Sequence, residues 1–405
     1  MILQAFHWNL VKTQGTGTMD GRAESWYAVL TGLVAQIAAL GATIVYLPPP
    51  WRDDSSWDKN GKQGGGEGYF WHDFDLDSRY GTSAELIALV AALHACGIKV
   101  IVDLVVNHRD RTRMQSDVWP WPGPHWARSG GHDTGAGFEK GENDLALDHP
   151  EVHARLLAAM NELLDRSGVD GWRWDFAWGY SVEQVIALLR ETPKVEYFSM
   201  GEYWQGDPSR ADDPLIDRYG TDERARIVGW AHDTRSCACD VLLKARIQAG
   251  DARELPGALH ASRRREDREV AVTYVDNHDT GASPFSASNG WGQRHWPCPD
   301  HFKSKAYAYV LSMPGTPCIY WPDAFDWGMQ EELTALVRAR RRAGIVAASE
   351  WTDLRERYTG LAVYVKDATG RERLALSIGS DFSSPGDGYE VAAEKPGEWT
   401  VWVRD

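Results

Sequence analysis

Lys99-Val100-Ile101-Val102-Asp103-Leu104-Val105-Val106-Asn107-His108 is a short β-branched run that closes on polar groups. A helical stretch at 83–95 precedes it and a long polar segment follows it. Working outward, the same strand, loop and helix unit recurs. Strands read at 2–8, 43–47, 99–106, 171–176, 196–201, 237–242, 269–275 and 317–320, with helix-like segments such as 150–167 and 182–190 between them. Alternation of β and α over roughly 340 residues predicts an α/β protein with a parallel sheet, and eight units predict a closed (β/α)8 TIM barrel. A doubly wound open sheet is the competitor, but no glycine-rich phosphate loop follows the first strand.

Two regions break the rhythm. Residues 107–148 form a long stretch rich in Gly, Pro, His, Trp and Asp, and loops of that length are usually functional or a small subdomain. After residue 348 the helical pattern stops. Short strands at 361–365, 373–378 and 398–403, separated by Gly-rich turns, predict a small antiparallel β domain. The expected organisation is a barrel over 1–106 and 149–348, an inserted loop subdomain over 107–148, and a C-terminal β domain over 349–405.

Composition narrows the function classes. The net charge of −15 on 405 residues repels phosphate backbones, so nucleic acid is excluded as a partner. No apolar run is long enough to span a membrane. A monomer is expected. The chain opens on a strand and not on a charged, apolar leader, so an extracellular setting requires a signal peptide already removed, with a cytoplasmic one the alternative. Tryptophan is abundant, at 20 residues, and several fall in Gly/Pro/polar segments such as Trp51 and Trp119-Pro120-Trp121-Pro122. Flat aromatic faces in loops suit the apolar faces of sugar rings, although packing under loops accounts for many of them. Five cysteines without regular spacing give neither a disulfide framework nor a zinc pattern.

A (β/α)8 barrel builds its active site at the C-terminal ends of its strands. Here strand three ends Asp103 to His108 and strand four ends Gly171-Trp172-Arg173-Trp174-Asp175. Strand five ends Met200-Gly201-Glu202 and strand seven Val275-Asp276-Asn277-His278-Asp279. One such acid can be a helix cap. Four strand ends that converge carboxylates, an arginine and two histidines on one mouth point to chemistry. Arg173 lies two residues before Asp175, so on a strand both side chains share a face, and its charge is expected to keep Asp175 ionised.

These four segments, with Phe6-His7-Trp8-Asn9 and the run Gly64 to Phe74, resemble in order and spacing the α-amylase family of glycoside hydrolases. Within it they are similar to the bacterial maltotetraose-forming exo-amylases. The resemblance implies retaining hydrolysis of α-1,4-glucosidic bonds in starch and maltooligosaccharides. It implies Asp175 as nucleophile, Glu202 as general acid/base and Asp279 as the third carboxylate. Partial burial among Tyr203, Trp204 and other carboxylates is expected to keep Glu202 protonated. Tyr69, His108, Arg173, His278 and Gln293 are implied substrate contacts, with Trp8, Trp57 and Trp204 as stacking residues; Asp103 is expected to support Arg173.

The resemblance also implies a calcium ion, held by hard oxygens of Asn107, Asp133, Asp144 and the Gly179 carbonyl. Ala136 stands where relatives have a further aspartate. Glu142 stands where maltotetraose-forming relatives place an aspartate that grips the non-reducing chain end, with Lys140 nearby; a solvated loop pair is the other reading of these two residues. Exo-action releasing maltotetraose or a similar short product is the expectation. Endo-cleavage, transglycosylation and, remotely, non-catalytic glucan binding remain alternatives.

Overall fold

The computed structural model describes residues 1–10, 22–59, 62–110, 144–192, 198–203, 216–284 and 296–405. Eight parallel strands close into a barrel: β1 (Ile2–Gln4), β2 (Ile44–Leu47), β3 (Lys99–Leu104), β4 (Gly171–Trp174), β5 (Phe198–Gly201), β6 (Cys237–Cys239), β7 (Ala271–Tyr274) and β8 (Thr316–Tyr320). Each pairs with its neighbours in sequence and β1 pairs with β8, so no edge is left open. Most positions in these strands are buried, because helices cover the outside and side chains fill the inside.

Helix starts follow from local chemistry. Thr82 and Glu85 form a reciprocal capping box on Ser83–Ala95, and Ser181 and Gln184 do the same on Val182–Glu191. Two strand expectations are corrected by such signals. Residues 241 and 242 begin the helix Val241–Ala249 instead of extending β6, because the Asp240 side chain caps it by accepting from the Leu243 N–H at 3.1 Å. Glu269 and Val270 end the helix Arg265–Val270, and β7 starts only at Ala271. The first strand is also shorter than 2–8, and residues 5–10 run on across the barrel end as loop.

The chain after the barrel forms a five-stranded antiparallel sheet of β9 (Trp351–Asp353), β10 (Leu361–Lys366), β11 (Glu372–Ile378), β12 (Tyr389–Lys395) and β13 (Trp399–Arg404), in the order β9-β10-β11-β13-β12. Two indoles fasten this sheet to the barrel: Trp399 Nε1 donates to Ser304 Oγ at 2.8 Å and Trp351 Nε1 to the Ala261 carbonyl at 3.1 Å. Among the described residues no helix is long and apolar enough to cross a membrane, and all five cysteines are free thiols.

Glycine decides how closely the strands that carry the site can pack. A Cβ at Gly171 would lie 1.8 Å from the Phe198 carbonyl oxygen, and one at Gly201 would lie 2.1 Å from the Trp230 ring. Gly201 immediately precedes Glu202, so added volume there pushes on the carboxylate directly. The Gly201→Ala variant is expected to lose about 1–3 kcal/mol to overpacking. Urea unfolding checks this, and an unchanged midpoint would contradict the packing account.

Candidate active site

Strand geometry explains why three strands meet at one guanidinium. Asp103 and Arg173 are paired across β3 and β4, and Arg173 is paired with Met200 across β4 and β5, one residue short of Gly201 and Glu202. Arg173 is 2% exposed and Asp103 is fully buried. Arg173 Nη1 donates to both Asp103 oxygens at 2.9 and 3.0 Å and to Asp175 Oδ1 at 2.5 Å, while Nη2 meets Glu202 Oε2 at 2.7 Å. Breaking one partner out of a buried cluster of this kind typically costs about 3–5 kcal/mol, because the remaining charge is left without an answer.

The second set of contacts runs from Asp103 across the barrel end to β7. Asp103 Oδ2 accepts from the Tyr46 hydroxyl at 2.5 Å and from the Tyr69 hydroxyl at 2.7 Å. The Tyr69 oxygen lies 2.7 Å from His278 Nε2, and His278 Nδ1 lies 2.7 Å from Gln4 Nε2. Since Gln4 donates to Nδ1, the hydrogen of the neutral ring sits on Nε2. That nitrogen also faces Asp279 Oδ2 at 3.2 Å. Trp8 packs on Tyr69 with ring centroids 4.9 Å apart, and Tyr69 stacks on His278 at 5.6 Å and 18°. Asp175, Glu202, Asp279, Arg173, Tyr69, His278 and Trp8 are thus gathered at one end of the barrel.

Charge states follow from this crowding. Burial pushes the Asp175 carboxyl well above the ordinary carboxylate range; Arg173 opposes the rise, and Asp103, Glu202 and Asp279 add to it. Arg173 acts on Asp175 in the expected direction, and burial and the neighbouring acids act against it. One guanidinium is shared by three carboxylates, so its charge offsets each of them less than it would in an isolated Arg–Asp pair. Glu202 is partly buried, with 13% of its side chain exposed. Its carboxylate accepts from the Phe176 N–H at 3.1 Å besides meeting Arg173, and Tyr203 stacks on Trp230. Phe176 takes a left-handed backbone, φ 48°, to aim that N–H, a strained conformation for a residue with a bulky side chain.

His108 lies buried beside this cluster, edge-on to Phe176, with its Nδ1 3.4 Å from Asn107 Nδ2. Asn107 Nδ2 donates to Asp144 Oδ1 at 3.1 Å, the Leu145 N–H donates to the Asn107 carbonyl at 2.8 Å, and a Cβ on Gly179 would lie 2.4 Å from Asn107 Oδ1. Three of the four expected calcium ligands are therefore neighbours, and their donors are buried oxygens of the kind a hard cation takes. No group of three or more His, Cys, Asp or Glu side chains arranged to hold a metal ion occurs among the described residues. Asp133, Glu142, Trp204 and Gln293 lie outside the described residues, as does the side chain of Trp57, whose backbone belongs to the ribbon of Trp57–Lys59 with Lys62–Gly64.

Gln4 and Tyr46 were missed as members of the site. Each is a polar-tipped side chain within a buried barrel strand, Gln4 at 1% and Tyr46 at 3% exposure. That is the signal that could have found them, since a buried amide or hydroxyl must have a partner.

A family model described as the α-amylase catalytic domain matches residues 19–116. The glucan 1,4-alpha-maltotetraohydrolase of Roseateles saccharophilus is 37% identical over 396 residues, which is 95% of this chain and 69% of that protein. The glucan 1,4-alpha-maltotetraohydrolase of Stutzerimonas stutzeri matches with the same identity and the same shares. An α-amylase from Geobacillus thermoleovorans, solved in complex with acarbose, superposes with a TM-score of 0.67 at 18% identity, over 100% of this chain and 97% of that one. That likeness speaks to the fold.

His278 supplies a pH test of the site. Burial, and Arg173 after it, lower its pKa from 6.5 to about 3. A histidine held neutral in the fold contributes stability that is complete above its unfolded pKa of 6.5 and is lost as pH falls toward 3. Denaturant unfolding of a His278→Gln variant should therefore show a shallower loss of stability between about pH 6.5 and 4 than the parent. Parallel curves would contradict a neutral buried imidazole.

Proposed function

This chain belongs to the α-amylase family of glycoside hydrolases, and on that premise we propose that it hydrolyses α-1,4-glucosidic bonds with retention, from the non-reducing end, releasing maltotetraose. The substrates are starch and maltooligosaccharides. The observation that carries the reading is the attachment of Asp175 and Glu202 to the two amino groups of one buried guanidinium, at the tops of adjacent strands. Two carboxyl groups held a single guanidinium's width apart suit a retaining mechanism, which needs a spacing of about 5 Å.

In this mechanism Asp175 attacks the anomeric carbon while the proton of Glu202 passes to the departing glycosidic oxygen. The carbon–oxygen bond breaks and a glycosyl ester of Asp175 forms. Glu202, now a carboxylate, takes a proton from water, the water oxygen attacks the same carbon, and the ester bond breaks with the original configuration restored. Arg173 holds both carboxyl groups in register throughout. Asp279 accepts hydrogen bonds from sugar hydroxyls and stabilises developing positive charge on the ring. His278, neutral with its hydrogen on Nε2, and His108 contact hydroxyls of the sugar being cleaved, and Tyr69 and Trp8 offer it apolar faces. Trp57, Trp204, Gln293 and Glu142 are assigned to further sugar units, with Glu142 at the chain end.

Residues 107–148 are read as a subdomain fastened by calcium through Asn107, Asp144 and the Gly179 carbonyl, with Asp133 as a fourth ligand. The ion supplies a hard cationic cross-link and takes no part in bond breaking. A polymer substrate favours an extracellular setting, because starch chains do not cross membranes.

A time course of products from soluble starch tests the activity. Maltotetraose should dominate from the earliest points, and Glu202→Gln should lower kcat by roughly 10²–10⁴-fold. A broad early ladder would overturn exo-action, and a fully active variant would overturn the assignment of Glu202. Chelation should lower the melting temperature reversibly, by the equivalent of about 2.7 kcal/mol when calcium stood at roughly 100 times its Kd. A melting temperature indifferent to both chelator and calcium would remove the metal from the account.

A further inference from the structure

Asp276 is fully buried, three residues before Asp279, and takes no part in the contacts described above. It accepts from Lys244 Nζ at 2.6 Å through Oδ1 and meets Lys303 Nζ at 3.2 Å through Oδ2. The Cys298 N–H donates to both of its oxygens, at 3.1 and 3.3 Å. Lys244 also donates to the Val275 carbonyl at 2.9 Å. Lys303 is shared with Asp323 at 2.7 Å, and Asp323 accepts from the Tyr307 hydroxyl at 2.5 Å. Two lysines and two aspartates balance one another inside the protein. They come from the helix Val241–Ala249, the end of β7, the helix Asp300–Ser312 and the turn after β8, so the quartet joins the sixth, seventh and eighth barrel units.

A second chain of bonds links this quartet to the active-site loop. Thr280 Oγ1 donates to Asp276 Oδ1 at 3.4 Å and accepts from the Asn277 N–H at 3.1 Å. Asn277 Oδ1 in turn accepts from the backbone N–H groups of Asp279 at 3.0 Å and Thr280 at 2.8 Å, and the Gly281 N–H closes the turn on the Asn277 carbonyl at 2.8 Å. These bonds tie the backbone of the turn from 276 to 281 together beneath the Asp279 carboxylate. A Cβ on Gly281 would come within 2.9 Å of the Asp276 Cβ, so the turn closes directly over the buried carboxylate.

We infer that Asp276, held between Lys244 and Lys303 and acting through Thr280 and Asn277, is the positioning residue that sets where the Asp279 carboxylate stands over the reacting sugar. This rests on the reading of Asp279 as a transition-state carboxylate. A charge buried on three barrel units cannot follow a moving loop, so the loop must follow it. Placement errors of about 1 Å in such a carboxylate cost up to roughly 100-fold in rate. Removing Asp276 itself takes the counter-charge from buried Lys244 and endangers folding, whereas Thr280 carries the connection without bearing charge.

The experiment is a double-mutant cycle on Thr280 and Asp279, with kcat and KM measured on an activated aryl maltooligoside and melting temperature followed alongside. Thr280→Val is expected to lower kcat by roughly 10- to 100-fold with KM changed less than about twofold, and Thr280→Ser to restore it to within about threefold. In the Asp279→Asn background Thr280→Val should lower kcat by less than about twofold further, because the group being positioned is already lost. Equal losses in the two backgrounds, or an unchanged kcat for Thr280→Val beside a crippled Asp279→Asn, would overturn the positioning role and leave the catalytic reading intact. A fully active Asp279→Asn would overturn both.

Discussion

A guanidinium with 2% of its side chain exposed has no water to answer its charge, and in this fold Asp103, Asp175 and Glu202 answer it instead. These acids arrive from three adjacent strands. The pairing of β3, β4 and β5 therefore determines the distance between the Asp175 and Glu202 carboxyl groups. The same arrangement decides protonation. With more negative partners than one cation can satisfy, burial and the neighbouring acids raise Asp175 against the pull of Arg173.

Around that centre the protein builds support in layers. Asp103 is held by the hydroxyls of Tyr46 and Tyr69 as well as by Arg173, and Tyr69 passes the connection on to His278 and Gln4. On the far side the lysine–aspartate quartet holds the loop that ends in Asp279. Polar groups in a barrel interior must be paired, and here the pairs join neighbouring strands and loops into one network. The strands can approach closely enough for this because Gly171 and Gly201 present no side chain to Phe198 and Trp230.

Much of the candidate site was legible in advance. Strand ends bearing Asp103, Arg173, Asp175, Glu202, His278 and Asp279 could be found by combining period, order and the rule that barrel sites form at those ends. Less legible were the supports. Gln4, Tyr46 and Phe176 look like ordinary strand and loop residues, and their importance comes from partners 57, 274 or 26 positions away in the chain. Strand limits at β6 and β7 were misread because β-branched residues 241 and 270 lie in helices, the first set by the Asp240 cap.

By itself, the sequence determined the class of fold, through eight alternations of strand and helix, and the candidate site groups, through short motifs whose spacing survives in one dimension. It also determined the antiparallel tail, although β9 and β12 emerged only when their partners were in place. Tertiary structure alone decided how one arginine is divided among three acids, which hydrogen His278 carries, and that Asp276 lies between two lysines. Each of these depends on burial and on distances of a few ångströms between groups remote in the chain. Neither quantity is encoded in local periodicity, because both are set only when the barrel closes.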